Sequence, residues 1–393
     1  MDSDRKLKIA VLIKKFITTG GAERYTYEVT RRLALQHEVH VFAQDWSYQG
    51  KEKIIFHRMP VFFKRPSWLN QIIYSYLVGK ALGKNFDIIH SHEKVTRFDV
   101  MTIHSPCFRS LITKENKWWK RCLLWLSIAL SPRKLAWLWL EKKQFTSDPN
   151  KVFIAVSEMV KNDVQSNYSL TDKSFCIAFP GVNMDMYAEE MSFDEIKRFR
   201  FNLGIDEDDL AVLFVGTEFK RKGLDALFKS LSLIHNPKIK LVIAGGGGGK
   251  MSRYVKMAQK LKLQKRITFM GLVKDIQKLY TICDAFVLPT LVDPCAMAPL
   301  EAMSAGLPTA LSKPDYCGAS GHVKNKEALI IENPRDHQEI AKIIRQFMDK
   351  EVRKNFGEKG RELVKELTWE KTTMATLSCY AKTIRDKYQR SQP

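Results

Sequence analysis

No stretch of this chain runs 18 residues without a charge, so no membrane-spanning helix is expected. Its seven cysteines contain no C-x-x-C pair. An odd, scattered set gives neither a disulfide framework nor a zinc site, and a reducing cytoplasm is the natural compartment. G-x-G-x-x-G is missing from the first strand-to-helix turn, which argues against a nicotinamide dehydrogenase. Acidic residues are scarce: 43 Asp and Glu stand against 64 Lys and Arg, for a net charge of +21. The first 180 residues are the more basic part, with 29 basic and 16 acidic side chains. That balance favours an anionic partner, whether nucleic acid, an acidic membrane or a phosphorylated substrate. No basic-aromatic recognition module supports nucleic acid.

What is present is ordinary globular material. Hydrophobic residues make up 45% of 393 positions and charged residues 27%, enough for two domains with separate cores. The N-terminal MDSDRKLKIAVLI has two Asp before an apolar run too short for a signal peptide, so it reads as a first strand. Apolar runs at 8–13, 38–43, 54–58, 86–90, 99–103 and 152–155 alternate with turns and helical stretches. The pattern restarts at 211–215 and continues through 240–244, 266–270, 285–288 and 308–311. An α/β fold follows, with two Rossmann-like parallel-sheet domains facing a cleft. The expected bounds are 1–185, a linker at 186–210, and 211–375, with 376–393 a helix returning to the first domain.

Ligands in open parallel sheets bind beyond the carboxyl ends of the strands. Three turns there carry candidate chemistry. Gly20 and Gly21 open the first helix and let a phosphate approach the backbone. Gly216-Thr-Glu-Phe-Lys-Arg221-Lys222-Gly follows the first strand of the second half, and its fixed cations could neutralise a leaving diphosphate. The third turn follows DAFVLPT and contains Asp293, Ala296, Met297, Ala298 and Glu301. Pro299 suits a first helical turn there, with small residues before a helix N-terminus. Asp206-Glu-Asp208 has a metal-like spacing but falls in a charged stretch before a strand, and it reads as a solvated loop.

The segment DAFVLPT, an acid, seven residues and EAMSAGLP resembles the signature of the GT-B retaining glycosyltransferases of family 4. GGAER at 20–24, IAVSE at 154–158, PGVN at 180–183, VIAGGGG, FMGLV and ELTWEKTTMATLSCY fall in the family's order. GTEFKRKG looks most like the bacterial lipopolysaccharide core glucosyltransferases. The resemblance implies that Arg221 and Lys222 serve the donor diphosphate, that Glu301 binds its ribose, and that Asp293 faces the transferred sugar. Asp293 stands where the family has Glu, Ala296 where Gly is common, and Asn183 where Asp is common. His104 matches a histidine that contacts the donor sugar; His90 and His92 lie near it in sequence. The implied reaction moves a hexose, with UDP-glucose or another UDP-hexose expected, to a lipid-linked phosphorylated glycan. It retains configuration, by double displacement or front-face attack, and needs no metal. Same-fold alternatives are another glycolipid or capsule acceptor, or a catalytically silent sugar-nucleotide binder.

Five of the eight tryptophans fall between 118 and 139. Trp118, Trp119, Trp125, Trp137 and Trp139 mix with Lys120, Arg121, Arg133 and Lys134. The apolar runs are too short and broken to span a bilayer. They fit one or two helices lying at an anionic membrane surface, on the inner face of the inner membrane. Core helices packed on the first domain are the alternative.

Overall fold

In the computed structural model, residues 5–115, 117–145, 151–184, 191–246, 249–324 and 326–391 are described. They form two compact units. The first unites residues 1–180 with 369–393, and the second spans 181–368.

The first unit contains β1 (Lys8–Leu12), β2 (Lys15–Phe16), α1 (Gly21–Leu33), β3 (Glu38–Ala43), β4 (Asp45–Trp46), β5 (Ile54–Arg58), α2 (Ser67–Ala81), β6 (Ile88–Ser91), β7 (Val100–Ile103), α3 (Ser110–Thr113), α4 (Trp118–Ala129), α5 (Pro132–Gln144), β8 (Val152–Ala155), α6 (Glu158–Asn167) and β9 (Phe175–Ile177). Seven strands form one parallel sheet in the order β5-β3-β1-β6-β7-β8-β9. Ile9, Ala10, Val11 and Leu12 have no exposed surface. A strand covered on both faces must be apolar at every position, which is why the runs are continuous instead of alternating. The order reverses between β1 and β6. Turns leaving these two strands therefore face one crevice.

The second unit contains α7 (Phe193–Asn202), β10 (Leu210–Val215), α8 (Leu224–Ser232), β11 (Ile239–Ala244), α9 (Gly249–Lys260), β12 (Ile267–Gly271), α10 (Ile276–Ile282), β13 (Ala285–Leu288), α11 (Met297–Ser304), β14 (Thr309–Ser312), β15 (Leu329–Ile331), α12 (His337–Gln346) and α13 (Lys350–Lys365). Its six strands run parallel in the order β12-β11-β10-β13-β14-β15. Here the switch lies between β10 and β13. α7 opens on a capping box in which Ser192 and Glu195 satisfy each other's backbone N–H groups.

The last helix, α14 (Trp369–Ser391), belongs to the first unit. Trp369 and Tyr380 are fully buried on it, each contributing about 2–3 kcal/mol through apolar burial. These bounds differ from the sequence expectation. The stretch expected as a linker includes α7, although residues 185–190 lie outside the described residues. The return to the first unit comes at Trp369 instead of after residue 375, because α14 is one unbroken helix.

Helices α4 and α5 connect β7 to β8. Ile128 is the only buried residue of α4, and α5 buries only Leu140, Glu141 and Gln144 at its C-terminal end. Core helices would bury a continuous stripe, so the core-helix alternative fails for most of this pair. Trp118, Trp119, Trp125 and Trp139 are exposed, as are Leu123, Leu126 and Leu130. Trp137 is the exception. It lines a cavity within the first unit, with the Lys94 ammonium 5.0 Å from its ring centroid. It sits two residues before Trp139 and so points to a different side of the helix. No helix among the described residues is long and apolar enough to cross a membrane.

Candidate active site

In the second unit, three strand ends converge because glycines let them. A Cβ on Gly216 would lie 2.2 Å from the Cδ of Lys222, so the lysine stem passes directly over that backbone. Gly245 has φ +105°, and a Cβ there would be 2.2 Å from the Gly216 carbonyl oxygen. Gly223 has φ +81°, and its Cβ would be 1.8 Å from the Pro289 carbonyl oxygen. The turns after β10, β11 and β13 thus touch through backbone alone.

The cation-bearing turn is anchored, unlike a solvated basic run. Phe219 is buried and packs edge-on to Tyr254 with ring centroids 5.1 Å apart. The Lys222 N–H donates to the Glu218 carbonyl at 2.9 Å. Arg221 is tied to the turn after β13. Its carbonyl accepts from the Leu291 N–H at 2.8 Å and the Thr290 hydroxyl at 3.2 Å, and its guanidinium donates to the Val292 carbonyl at 2.5 Å.

Asp293 is held from both sides of its backbone. Its N–H donates to the Tyr316 carbonyl at 2.7 Å and its carbonyl accepts from the Gly318 N–H at 2.8 Å. The carboxylate lies 2.9 Å from the Lys222 ammonium and 3.9 Å from the Arg221 guanidinium. The Lys222 and Asp293 side chains are only 13% and 8% exposed. An ion pair this enclosed is weakly screened, so Asp293 fixes where the lysine sits. The residue expected to face a sugar is therefore engaged by the cation expected to serve a diphosphate.

α11 begins at Met297, with Ala296 as its N-cap and Ala298 buried behind it. Its first N–H groups have no partner within the helix. Glu301, about one turn into α11, is nearly buried and accepts from the Tyr280 hydroxyl at 2.9 Å. Cys295 lies between these groups. Burial, reinforced by Asp293, pushes its thiol well above the usual range, so it stays protonated and is no nucleophile. Asp206 to Asp208 precede β10, and the Asp208 side chain is 84% exposed, as a solvated loop should be.

The first unit holds the remaining candidates. Gly20, with φ +101°, caps α1, and Gly21 is its first residue. His104 follows β7. Its Nε2 lies 3.0 Å from His92 Nδ1, and Tyr25 meets its ring edge-on at a centroid distance of 5.1 Å. Burial lowers His104 to about 3 and holds His92 well below the usual value. Both rings are therefore neutral, and one donates to the other. His90 is a different case. It has no exposed surface, and it bonds Tyr380 at 2.6 Å and Thr102 at 2.7 Å. It is a satisfied core histidine that fastens α14 to the sheet.

Sequence reasoning missed Lys14, Glu93 and Lys94, which line the same cavity as His92 and His104. Lys14 lies just past β1, and Glu93 and Lys94 just past β6. The strand order alone would have singled them out, because these are the two strands flanking the switch point.

Comparison with known proteins matches residues 19–186 to the family described as Glycosyltransferase Family 4 and residues 195–363 to Glycosyl transferases group 1. The lipopolysaccharide glucosyltransferase WaaG of Escherichia coli K12 is 22% identical over 347 residues, covering 86% of this chain and 89% of that protein. An uncharacterized glycosyltransferase of Methanocaldococcus jannaschii is 25% identical over 384 residues, covering 92% and 94%. The crystal structure of WaaG superposes with a TM-score of 0.80 at 20% identity, covering 94% of this chain and 99% of that one. HepE of Anabaena, solved in complex with UDP-glucose, gives a TM-score of 0.70 at 17% identity over 95% and 99%. The fold is that of the GT-B glycosyltransferases.

Proposed function

We propose, from the premise that this chain is a glycosyltransferase, a hexosyltransferase whose family 4 domain precedes a group 1 domain, that it moves a hexose from a UDP-hexose to a hydroxyl of a lipid-linked, phosphorylated glycan. The observation that carries the donor half is the Arg221–Lys222 turn, pinned at the β10/β13 switch point. The solved neighbour bound to UDP-glucose supports a uridine donor, and likeness to WaaG supports a lipopolysaccharide core acceptor.

In this reading the diphosphate leaves while the anomeric carbon gains positive character. Lys222, Arg221 and the first N–H groups of α11 offset the charge growing on the leaving group. They are fixed before reaction, so little reorganisation opposes the step. Glu301, held by Tyr280, takes the ribose hydroxyls. Asp293 is the positioning residue for Lys222. Anomeric configuration is retained, and the departing phosphate receives the acceptor proton, so neither a separate base nor a metal is required.

Thermal shift in chelator with uridine, adenosine, guanosine and cytidine diphosphates and their hexoses tests the donor. Stabilisation by the uridine series alone, with UDP-glucose turnover unchanged by chelator, is expected. A different preferred base would discard the uridine assignment. The Asp293–Lys222 pair favours a second reading, a silent sugar-nucleotide binder. Stabilisation by UDP-glucose without transfer or hydrolysis would select it.

The acceptor's lipid anchor calls for a membrane surface at the cytoplasmic side. Four exposed tryptophans and the basic residues Lys120, Arg121, Arg133 and Lys134 on α4 and α5 support peripheral docking there. Replacing Trp118, Trp119, Trp125 and Trp139 together by Ser is expected to abolish most sedimentation with phosphatidylglycerol vesicles. Melting should hardly change, because these side chains contribute little to the core. Undiminished sedimentation would remove α4 and α5 from the docking surface.

A further inference from the structure

Beyond the carboxyl ends of β6 and β7, the first unit holds a half-open cavity of about 250 Å³. One wall is made by strand ends and the other by α5, through Trp137, Glu141 and Gln144. Two lysines, Lys14 and Lys94, reach into it.

Lys94 is not needed to satisfy the carboxylate it stands beside. Glu141 is 1% exposed, and its oxygens already accept from the Phe108 N–H at 2.7 Å, the Tyr168 hydroxyl at 2.9 Å and the Arg109 N–H at 3.1 Å. The Lys94 ammonium stands 3.5 Å off, well beyond the roughly 2.7–2.9 Å of a tight charged hydrogen bond. What holds it is the Trp137 ring, 5.0 Å away. Lys14 differs, because both oxygens of Glu93 depend on it. Its ammonium is 3.5 Å from one oxygen of Glu93, whose other oxygen takes the Lys14 backbone N–H at 3.2 Å. Their side chains are 32% and 25% exposed.

The cavity lining thus brings two ammonium groups, Lys94 the less committed of them, together with two neutral, linked imidazoles. Ammonium groups with spare donors suit a phosphoryl group. Neutral imidazoles exchange hydrogen bonds with hydroxyls and leave charge to the lysines. A sugar phosphate offers both.

We propose that this cavity is the acceptor subsite for a phosphorylated sugar, with Lys94, held on Trp137, as the cation that selects it. The proposal rests on the acceptor reading above and deepens it. It also separates two roles on α5: Trp139 meets lipid, whereas Trp137 serves the acceptor.

Tryptophan fluorescence of the full chain, titrated with glucose 6-phosphate, glucose, inorganic phosphate and UDP, tests it. Glucose 6-phosphate should give a saturable change that Trp137→Phe removes. Glucose should give none, and inorganic phosphate should bind more weakly. Lys94→Gln should weaken glucose 6-phosphate binding about tenfold or more, and Lys94→Arg should restore most of it. Vesicle sedimentation and stabilisation by UDP-glucose should be unaffected by Lys94→Gln. Wild-type affinity in Lys94→Gln overturns the proposal. So does displacement of the sugar phosphate by UDP, which would give the cavity to the donor, and so does equal binding of inorganic phosphate. If Lys94→Gln does not fold, Lys14→Gln carries the same measurement. Failure of the donor reading would show separately, as no stabilisation of the wild type by any nucleotide.

Discussion

Lys222→Ala is expected to lower affinity for nucleoside diphosphates about 10- to 100-fold, the range for losing one charged hydrogen bond to phosphate. The variant has a second effect that must be separated from the first. Lys222 is the 2.9 Å partner of Asp293, whose side chain is 8% exposed. Removing the cation leaves a nearly buried carboxylate with only Arg221, 3.9 Å away. That costs about 2 kcal/mol, below the roughly 3–5 kcal/mol of a fully broken buried pair because one cation remains. Asp293→Asn in the same background should recover most of the lost stability. It should recover none of the lost affinity, because the phosphate ligand is still gone. Calorimetric titration of both variants with UDP, together with melting curves, makes the comparison. Recovered UDP affinity in the double variant would mean that Lys222 acts only by neutralising Asp293, and its role at the diphosphate would be abandoned.

Gly223→Ala is expected to be the more damaging change although it removes no chemistry. Gly223 has φ +81°, a region that costs a residue with a side chain about 1–3 kcal/mol. The added Cβ would also lie 1.8 Å from the Pro289 carbonyl oxygen. Backbone must move, because no flexible side chain is there to yield. The turn most free to move is the one carrying Arg221 and Lys222. Melting of the second unit should fall by about 5–10 °C, and stabilisation by UDP-glucose should be lost in the same variant. Gly21→Ala is the control, since a Cβ there meets nothing within 4 Å. A Gly223→Ala protein that melts and binds donor like the wild type would show that the three strand ends need not converge as closely as they do.

The sequence by itself determined the parallel α/β class, the restart of the pattern in a second half, and the family. These follow from local facts. A strand buried on both faces must be apolar throughout, a turn that approaches a phosphate needs glycine, and a helix N-terminus tolerates proline. GGAER, GTEFKRKG and the DAFVLPT-to-EAMSAGLP stretch are each contiguous, so their order along the chain could be read directly. The exposed tryptophans of α4 were legible too, as a run that mixes aromatics with cations and never becomes long enough to span a bilayer.

What only the tertiary structure decided depends on direction and on partners distant in the chain. Trp137 and Trp139 look alike in sequence, but neighbouring helical positions point apart, and only packing against the sheet shows which one enters a cavity. His90 and His104 are equivalent as letters. Tyr380, 290 residues from His90, makes the first a core fastener, whereas the second opens on the cavity. The pairing of Lys222 with Asp293, 71 positions on, and the meeting of Lys14 with Glu93 exist only because β10 lies beside β13 and β1 beside β6. Strand order is a non-local property, set by which crossovers bury the most apolar surface, and it is the strand order that turns scattered charges into sites.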